Sequence, residues 1–246
     1  MNTSRPWVIA HRGGGALAPE NTLAAFKAAM DAGADAVELD VHLSRDGRLV
    51  VMHDETVDRT TDGSGAIADL TGADLRRLDA GSWFGAGYAG ERVPYLEEVL
   101  ALAAHPVIEL KYGSERYPGI EETVVHALRT TGRMRDAIVI SGNPSPLAAL
   151  KRFAPELPTL SFQTGTLRPG FQFTDLTPRD VLFAPPEPGL ESLVREAARL
   201  GFVVMGTTLG VGGGWAGYLV GQIRAGVAGV FTDDVEGVRS LVGGLS

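Results

Sequence analysis

Ala36-Val37-Glu38-Leu39-Asp40-Val41 is a short apolar run interrupted by two carboxylates. Its length and valine content predict a strand, and its nearly unbroken apolar character predicts burial on both faces, as in a parallel sheet. Glu38 and Asp40 stand at i and i+2, so a strand sends both side chains to the same side. Upstream, residues 7–11 read as a first strand and residues 23–30 as a helix that Gly33 stops. Downstream, an Asp46-Gly47 turn leads to a short extra strand at 49–53. Further strands are expected at 107–111, 137–141, 159–163, 181–184, 202–207 and 227–231. Helices are expected between them, at 95–104, 120–131, 146–153, 190–200, 217–225 and 235–241. Only the 166–180 connection is too broken by proline and glycine to read as helix.

Leaving aside the extra strand, this is eight strands alternating with helices, which predicts an α/β fold of the (β/α)8 TIM-barrel type. An open doubly wound sheet is the alternative, and it requires the fifth crossover to be absent. After the second strand, about residues 54–93 form a long, Gly- and Asp-rich insertion with a helical patch near 74–78. Trp83, Phe84 and Tyr88 within it favour an ordered cap over a disordered loop.

The chain has 246 residues with 44% hydrophobic and 21% charged, a balance that suits one barrel domain over 1–246. Its formal net charge of -8 and lack of a basic stripe argue against a nucleic-acid partner. A small anion can still bind at a locally positive pocket. Cysteine is absent, which excludes disulfides and thiolate metal sites, so a metal has to be held by oxygen or imidazole. The apolar run at 7–10 is too short for a signal peptide, and no segment is long enough to span a membrane. These features lead to the expectation of a cytoplasmic enzyme; they set no oligomeric state.

The unusual polar residues fall at strand ends. His11 and Arg12 close the first strand, Glu38 and Asp40 lie in the second, His53 closes the extra one, and Glu109 and Lys111 end the next. Neighbouring strands then bring Glu38, Asp40 and Glu109 together. Two like charges about 4 Å apart repel by about 4 kcal/mol at an effective dielectric near 20, so something must offset three carboxylates. Protonation is one answer; a hard divalent cation, Mg²⁺ or Ca²⁺, is the better one. A cation beside two imidazoles, Arg12 and Lys111 suits phosphodiester chemistry, in which negative charge grows on the phosphoryl oxygens. His11 and His53 then form a pair able to exchange protons, one with the attacking oxygen and one with the leaving alkoxide.

Each residue also has a bland reading. Strand-end carboxylates are often helix caps or salt-bridge partners, Glu109 and Lys111 can form a structural ion pair, and Glu20 and Asn21 can be ordinary N-terminal helix residues. His42, His105 and His126 are read as structural, with His42 turned opposite to its strand neighbours.

The motifs resemble those of the glycerophosphodiester phosphodiesterases. The resemblance is carried by Ala10-His11-Arg12-Gly13, Ala18-Pro19-Glu20-Asn21-Thr22, Gly33-Ala34-Asp35 before Glu38-Leu39-Asp40-Val41, Val50-Val51-Met52-His53-Asp54, Asp58-Arg59-Thr60-Thr61, Pro94-Tyr95-Leu96-Glu97-Glu98 and Glu109-Leu110-Lys111. Each is weak alone, but the ordered set is specific. The resemblance implies a barrel with an inserted cap, a divalent metal on Glu38, Asp40 and Glu109, acid-base histidines at His11 and His53, and phosphate contacts from Arg12 and Lys111. It also implies an orienting role for Glu20 toward His or Arg, and small-molecule glycerophosphodiester substrates released as glycerol phosphate and an alcohol. A lysophospholipase D-like phosphodiesterase, with an apolar rim near Trp83, Phe84 and Trp215, and a non-catalytic phosphate-ligand-binding barrel are the alternatives.

The second half departs from the family pattern. Only Gly229-Val230-Phe231-Thr232-Asp233 matches its last strand, and Val204-Met205-Gly206-Thr207 stands where the family often has Trp-Thr-Val-Asn. Trp215, in the Gly-rich 210–217 segment, is a candidate aromatic replacement on the alcohol side.

Overall fold

Strand β2 (Ala36–Leu43) is buried along its whole length and runs past Val41, because His42 and Leu43 pair with Val50 and Leu49 of the antiparallel β3 (Leu49–Val51). On one flank β2 pairs in parallel with β1 (Trp7–Ala10), on the other with β4 (Pro106–Leu110). The parallel ladder continues through β5 (Ile138–Ser141), β6 (Thr159–Ser161), β7 (Val181–Phe183), β8 (Val203–Thr207) and β9 (Gly229–Thr232), and β9 pairs back onto β1. The ring is closed. In this computed structural model, which describes residues 5–161, 181–183, 189–199, 201, 203–211 and 214–245, the chain is therefore a (β/α)8 barrel, and the open-sheet alternative is excluded.

Strand alternation divides the apolar residues into two shells. Ile9, Ala36, Val107, Ile138, Ile140, Leu160, Met205 and Phe231 fill the barrel interior. Their sequence neighbours, among them Val8, Val37, Leu39, Val41, Ile108, Val139 and Val230, face outward into a larger core made with the helices. Helices α1 (Leu23–Asp31), α3 (Leu96–Leu102), α4 (Ile120–Thr130), α5 (Pro144–Phe153), α6 (Leu190–Arg199), α7 (Trp215–Ala225) and α8 (Val235–Gly244) cover that outer face, and α2 (Gly72–Leu75) lies in the insertion. Full burial of a side chain such as Phe26 or Leu39 contributes about 1.5–3 kcal/mol. No helix among the described residues is long and apolar enough to cross a membrane.

The insertion is ordered around a small core of its own, Val57, Ile67, Leu75, Ala80 and Val93 packed on Val50 and Met52. Its helix starts at Gly72 rather than near residue 74, because Thr71 and Asp74 form a reciprocal capping box. Asp79 accepts the backbone N–H groups of Gly81, Ser82 and Gly90, and a Cβ at Gly81 would lie 1.9 Å from the Tyr88 carbonyl oxygen, so only glycine fits that crossing. The Tyr88 hydroxyl donates to the Leu17 carbonyl at 2.9 Å and ties the insertion to the loop after β1.

Elsewhere the expected elements shift by up to three residues, the largest change being α8, which runs on to Gly244. Helix α5 begins at Pro144, where the Asn143 side chain caps it. Helix α7 begins at Trp215, which corrects its placement in a loop: the indole opens the helix and is part-buried against the outer core. The broken 166–180 connection and the strand ends expected at 162–163, 184 and 202 lie outside the described residues.

Candidate functional site

The charged residues gather at the C-terminal mouth of the barrel, and the local backbone explains how. After β1 the chain makes a short 3₁₀ turn at His11–Gly13 with Arg12 in the left-handed region at φ 52. Gly13 follows at φ 83, where an added Cβ would meet that of Ala25 at 2.8 Å. This turn aims the Arg12 N–H at Glu38 Oε2 (2.9 Å) and its carbonyl at the Asn21 N–H (2.9 Å). Asn21 is also left-handed, at φ 58, and its side chain clasps Asp40, donating to Oδ2 at 2.8 Å and accepting the Asp40 N–H at 3.2 Å. Such backbone strain, about 1–3 kcal/mol for each residue, persists where the surroundings over-determine it.

Glu38, Asp40 and Glu109 offer oxygens that all lie within 4.8 Å of one another. Register sets this, since β2 and β4 pair Asp40 with Glu109. The Lys111 ammonium sits between two of the carboxylates, 2.9 Å from Asp40 Oδ1 and 2.7 Å from Glu109 Oε2, while Arg12 Nε is 3.7 Å from Asp40 Oδ2. Glu38 Oε1 is buried and, among the described residues, has no hydrogen-bond partner. Burial and then the Asp40 charge push the Glu38 carboxyl up to about 8. Burial and Asp40 likewise raise Glu109. Burial acts upward on Asp40 too, but Lys111 and the Asn21 amide outweigh it and hold Asp40 below the usual carboxylate range. The cluster is thus short of positive charge at Glu38, and an orphaned carboxylate oxygen among hard oxygen donors fits a divalent cation.

Each strand-end histidine is held by a carboxylate. His11 Nδ1 lies 2.8 Å from Asp233 Oδ1, and His53 Nδ1 lies 2.6 Å from Asp54 Oδ1. The carboxylate accepts a hydrogen bond from the Nδ1–H of each ring, which leaves Nε2 for other chemistry. The two rings are biased in opposite directions. Burial lowers the pKa of His11, but Asp233 and the Glu38 charge outweigh it and leave it raised; for His53 burial prevails over Asp54 and the pKa is lowered.

Glu20 bridges two arginines rather than a histidine: it accepts Arg12 at 3.1 Å and both terminal nitrogens of Arg59 at 2.8 Å. Arg59 Nε in turn reaches Asp54 Oδ2 at 2.7 Å, so a continuous charged chain runs from His53 through Asp54, Arg59 and Glu20 to Arg12. A recess lined by Glu20, Asn21, Met52, His53 and Thr60 adjoins it. The structure thus brings Glu38, Asp40, Glu109, Arg12 and Lys111 into one cluster, with His11 and His53 near enough for Glu38 and Asp40 to act on their charges.

Sequence reasoning assigned no role to Asp54, Arg59 or Asp233, and treated Asn21 as a plain helix residue. Asp54, Arg59, Asn21 and Asp233 all stand inside the motifs that carry the resemblance, a usable signal; Asp233 directly follows β9, and its contact with His11 spans 222 residues. His42 needs correction. Two residues from Asp40, it shares the inward face of Glu38 and Asp40, is fully buried, and binds the Tyr117 hydroxyl and the His53 carbonyl.

Residues 11–237 match the model of the glycerophosphoryl diester phosphodiesterase family. A glycerophosphodiester phosphodiesterase of Caldanaerobacter subterraneus is 48% identical over 167 residues, 66% of this chain and 69% of that protein. One from Bacillus subtilis is 37% identical over 177 residues, 65% of this chain and 60% of that protein, so some of the curated relatives extend well beyond the matched stretch. Among solved structures, an Oleispira antarctica phosphodiesterase in complex with the product sn-glycerol-3-phosphate has a TM-score of 0.80 at 28% identity, covering 97% of each chain. A glycerophosphodiester phosphodiesterase from Agrobacterium tumefaciens has a TM-score of 0.78 at 28% identity, covering 94% of this chain and 97% of that one. With the family model spanning nearly the whole barrel, this chain belongs to the glycerophosphoryl diester phosphodiesterase family of enzymes.

Proposed function

We propose that the chain hydrolyses glycerophosphodiesters to glycerol phosphate and an alcohol, with His11 and His53 as its acid-base pair and Glu38, Asp40 and Glu109 as ligands of one divalent cation, Mg²⁺ or Ca²⁺. The observation that carries this reading is the buried, unpartnered Glu38 Oε1 within a cluster of three carboxylates, flanked by two histidines that each lean on a carboxylate. An anionic phosphodiester needs positive charge, which Arg12 and Lys111 provide by hydrogen bonds to its oxygens. One divalent cation, when bound, adds compact positive charge against the negative charge that grows on those oxygens. Nε2 of one histidine takes the proton of the attacking oxygen, and Nε2 of the other returns a proton to the departing alkoxide. Asp233 and Asp54 hold the rings in the required tautomer, and the raised pKa of His11 against the lowered pKa of His53 suits a pair in which one ring starts charged and the other neutral. Arg59 and Glu20 keep Arg12 and Asp54 in register.

The glycerol phosphate bound to the Oleispira antarctica relative supports the product assignment. A non-catalytic barrel has no use for two oriented imidazoles. The lysophospholipid reading draws on the exposed Trp83, while Trp215 of its rim is part-buried in the first turn of α7 against the outer core. The test is turnover of glycerophosphocholine, glycerophosphoethanolamine and glycerophosphoglycerol by the purified protein. Expected are release of glycerol phosphate, its loss with chelator and its return with Mg²⁺ or Ca²⁺; no turnover of any of these diesters under any metal condition overturns the reading.

A further inference from the structure

His42 is the buried titratable group that this mechanism leaves unused. It shares the inward face of β2 with Glu38 and Asp40, yet it is no candidate for the cation, because both ring nitrogens are engaged: Nδ1 lies 2.8 Å from the Tyr117 hydroxyl and Nε2 lies 3.2 Å from the His53 carbonyl oxygen. A carbonyl only accepts, so Nε2 carries the proton, and in the neutral ring the Tyr117 hydroxyl donates to Nδ1. Tyr117 is itself buried and stands edge-on to the imidazole at 5.4 Å between centroids and 80° between planes. If the position needed only volume, an aliphatic side chain would fill it without two directed hydrogen bonds.

The local chain path gives those bonds a purpose. The β2–β3 ladder ends at Val41 and Val51, and one further bond, from the Met52 N–H to the Asp40 carbonyl at 3.1 Å, continues it. Beyond that the chain turns into the insertion, and the His53 carbonyl has lost its strand partner. The His42 ring takes the place of that partner. With the His53 peptide fixed, its Cα–Cβ direction is fixed too, and the Asp54 carboxylate then has only the ring rotation to set.

We propose that His42 is a positioning residue for His53, acting through the hydrogen bond from its Nε2 to the His53 carbonyl, with Tyr117 holding the His42 ring in that tautomer. This rests on the reading of His53 as one of the two acid-base residues. Because His42 touches no reacting atom, its loss lowers kcat by misplacing His53 and leaves KM nearly unchanged.

The test compares His42→Met, His42→Gln, Tyr117→Phe and the His42→Met/Tyr117→Phe pair with His53→Ala, measuring kcat, KM and Tm on the full chain with divalent cation and glycerophosphocholine. His42→Met is expected to lower kcat by about 10- to 10²-fold with KM little changed. His42→Gln keeps an N–H that reaches the carbonyl and is expected to recover most of that loss. Tyr117→Phe should lower kcat by a smaller factor, about 3- to 10-fold, and add nothing to His42→Met, since both act through one bond. Parent-like kcat in His42→Met, or in Tyr117→Phe should His42→Met fail to fold, overturns the proposal. So does a His42→Gln variant no faster than His42→Met at equal Tm. If His53→Ala turns over like the parent, the assignment of His53 fails instead, which separates the two failures.

Discussion

The arc of barrel from β1 to β4 and the arc from β5 to β9 line the same interior with different chemistry. In the first arc the inward positions climb from apolar to polar and charged: Ile9 to His11, Ala36 through Glu38 and Asp40 to His42, and Val107 through Glu109 to Lys111. The second arc fills the same layer with Ile138, Ile140, Leu160, Met205 and Phe231. Among the described residues, its charged contribution to the cluster is Asp233, just beyond β9, reaching back to His11. Because β1, β2 and β4 are adjacent, their strand ends concentrate like charges that repel unless an ion intervenes. The apolar arc supplies the closure that holds the charged arc in register. One arc therefore spends stability on chemistry, and the other restores it.

That division predicts which substitutions alter turnover and which alter only stability. The largest loss is expected from Glu109→Gln, at least about 10³-fold in kcat/KM, without a fall in the Tm of the metal-free protein, because a buried carboxyl raised by its neighbours is removed. His11→Ala and His53→Ala should each lower kcat by about 10²–10⁴-fold in a steady-state assay. Asp233→Asn, the sole probe of the second arc among these, should cost about 10-fold by weakening the hold on His11. A loss as large as that of His11→Ala would mean the two arcs share the chemistry more evenly than proposed.

Stability substitutions sharpen the contrast from the other side. Leu219→Ala in α7, fully buried on the outer shell, should destabilise by about 3 kcal/mol in denaturant titration and leave kcat per folded molecule unchanged. Asp35 gives the smallest effect. It lies in the first arc but at the start of β2, away from the mouth, where Arg5 donates to both its oxygens at 2.7 Å and the Val8 N–H donates at 2.8 Å. Burial acts upward on this carboxyl, but Arg5 and the Val8 N–H prevail and lower its pKa in the folded state. Its contribution, about 1 kcal/mol given its part exposure, is therefore present above the unfolded value near 3.9 and lost as pH falls through the folded value. The stability gap between parent and Asp35→Asn should close in that acid window and stay constant from pH 5 to 7; an unchanged gap at pH 3 would contradict the pairing, and a drop in kcat would tie this end of the barrel to the chemistry.

The same contrast explains what the sequence made legible. Polar residues inside apolar strands are conspicuous, so Glu38, Asp40 and Glu109 stood out, and alternation placed the first two on one side before any coordinates. That same alternation, applied two residues further, puts His42 on the side of Asp40 and opposite to Val41 and Leu43. Asp233 ends a motif that matches the family, but the motif does not name its partner, and only closure of β9 onto β1 brings it to His11. Arg59 shows a third limit, since its value lies in bridging Asp54 and Glu20, a contact made by folding of the insertion. The helix start at Trp215 was missed because Gly-rich sequence around 210–217 weakens helical signals that tertiary packing overrides.

The central claim is that Glu38, Asp40 and Glu109 share one cation. Anomalous diffraction from crystals grown with Mn²⁺, which takes the same oxygen ligands as Mg²⁺, tests it most directly. The account predicts one strong peak bounded by those three carboxylates, absent from crystals of Glu109→Gln. A peak elsewhere, or three carboxylates with no ion between them at saturating metal, would contradict it.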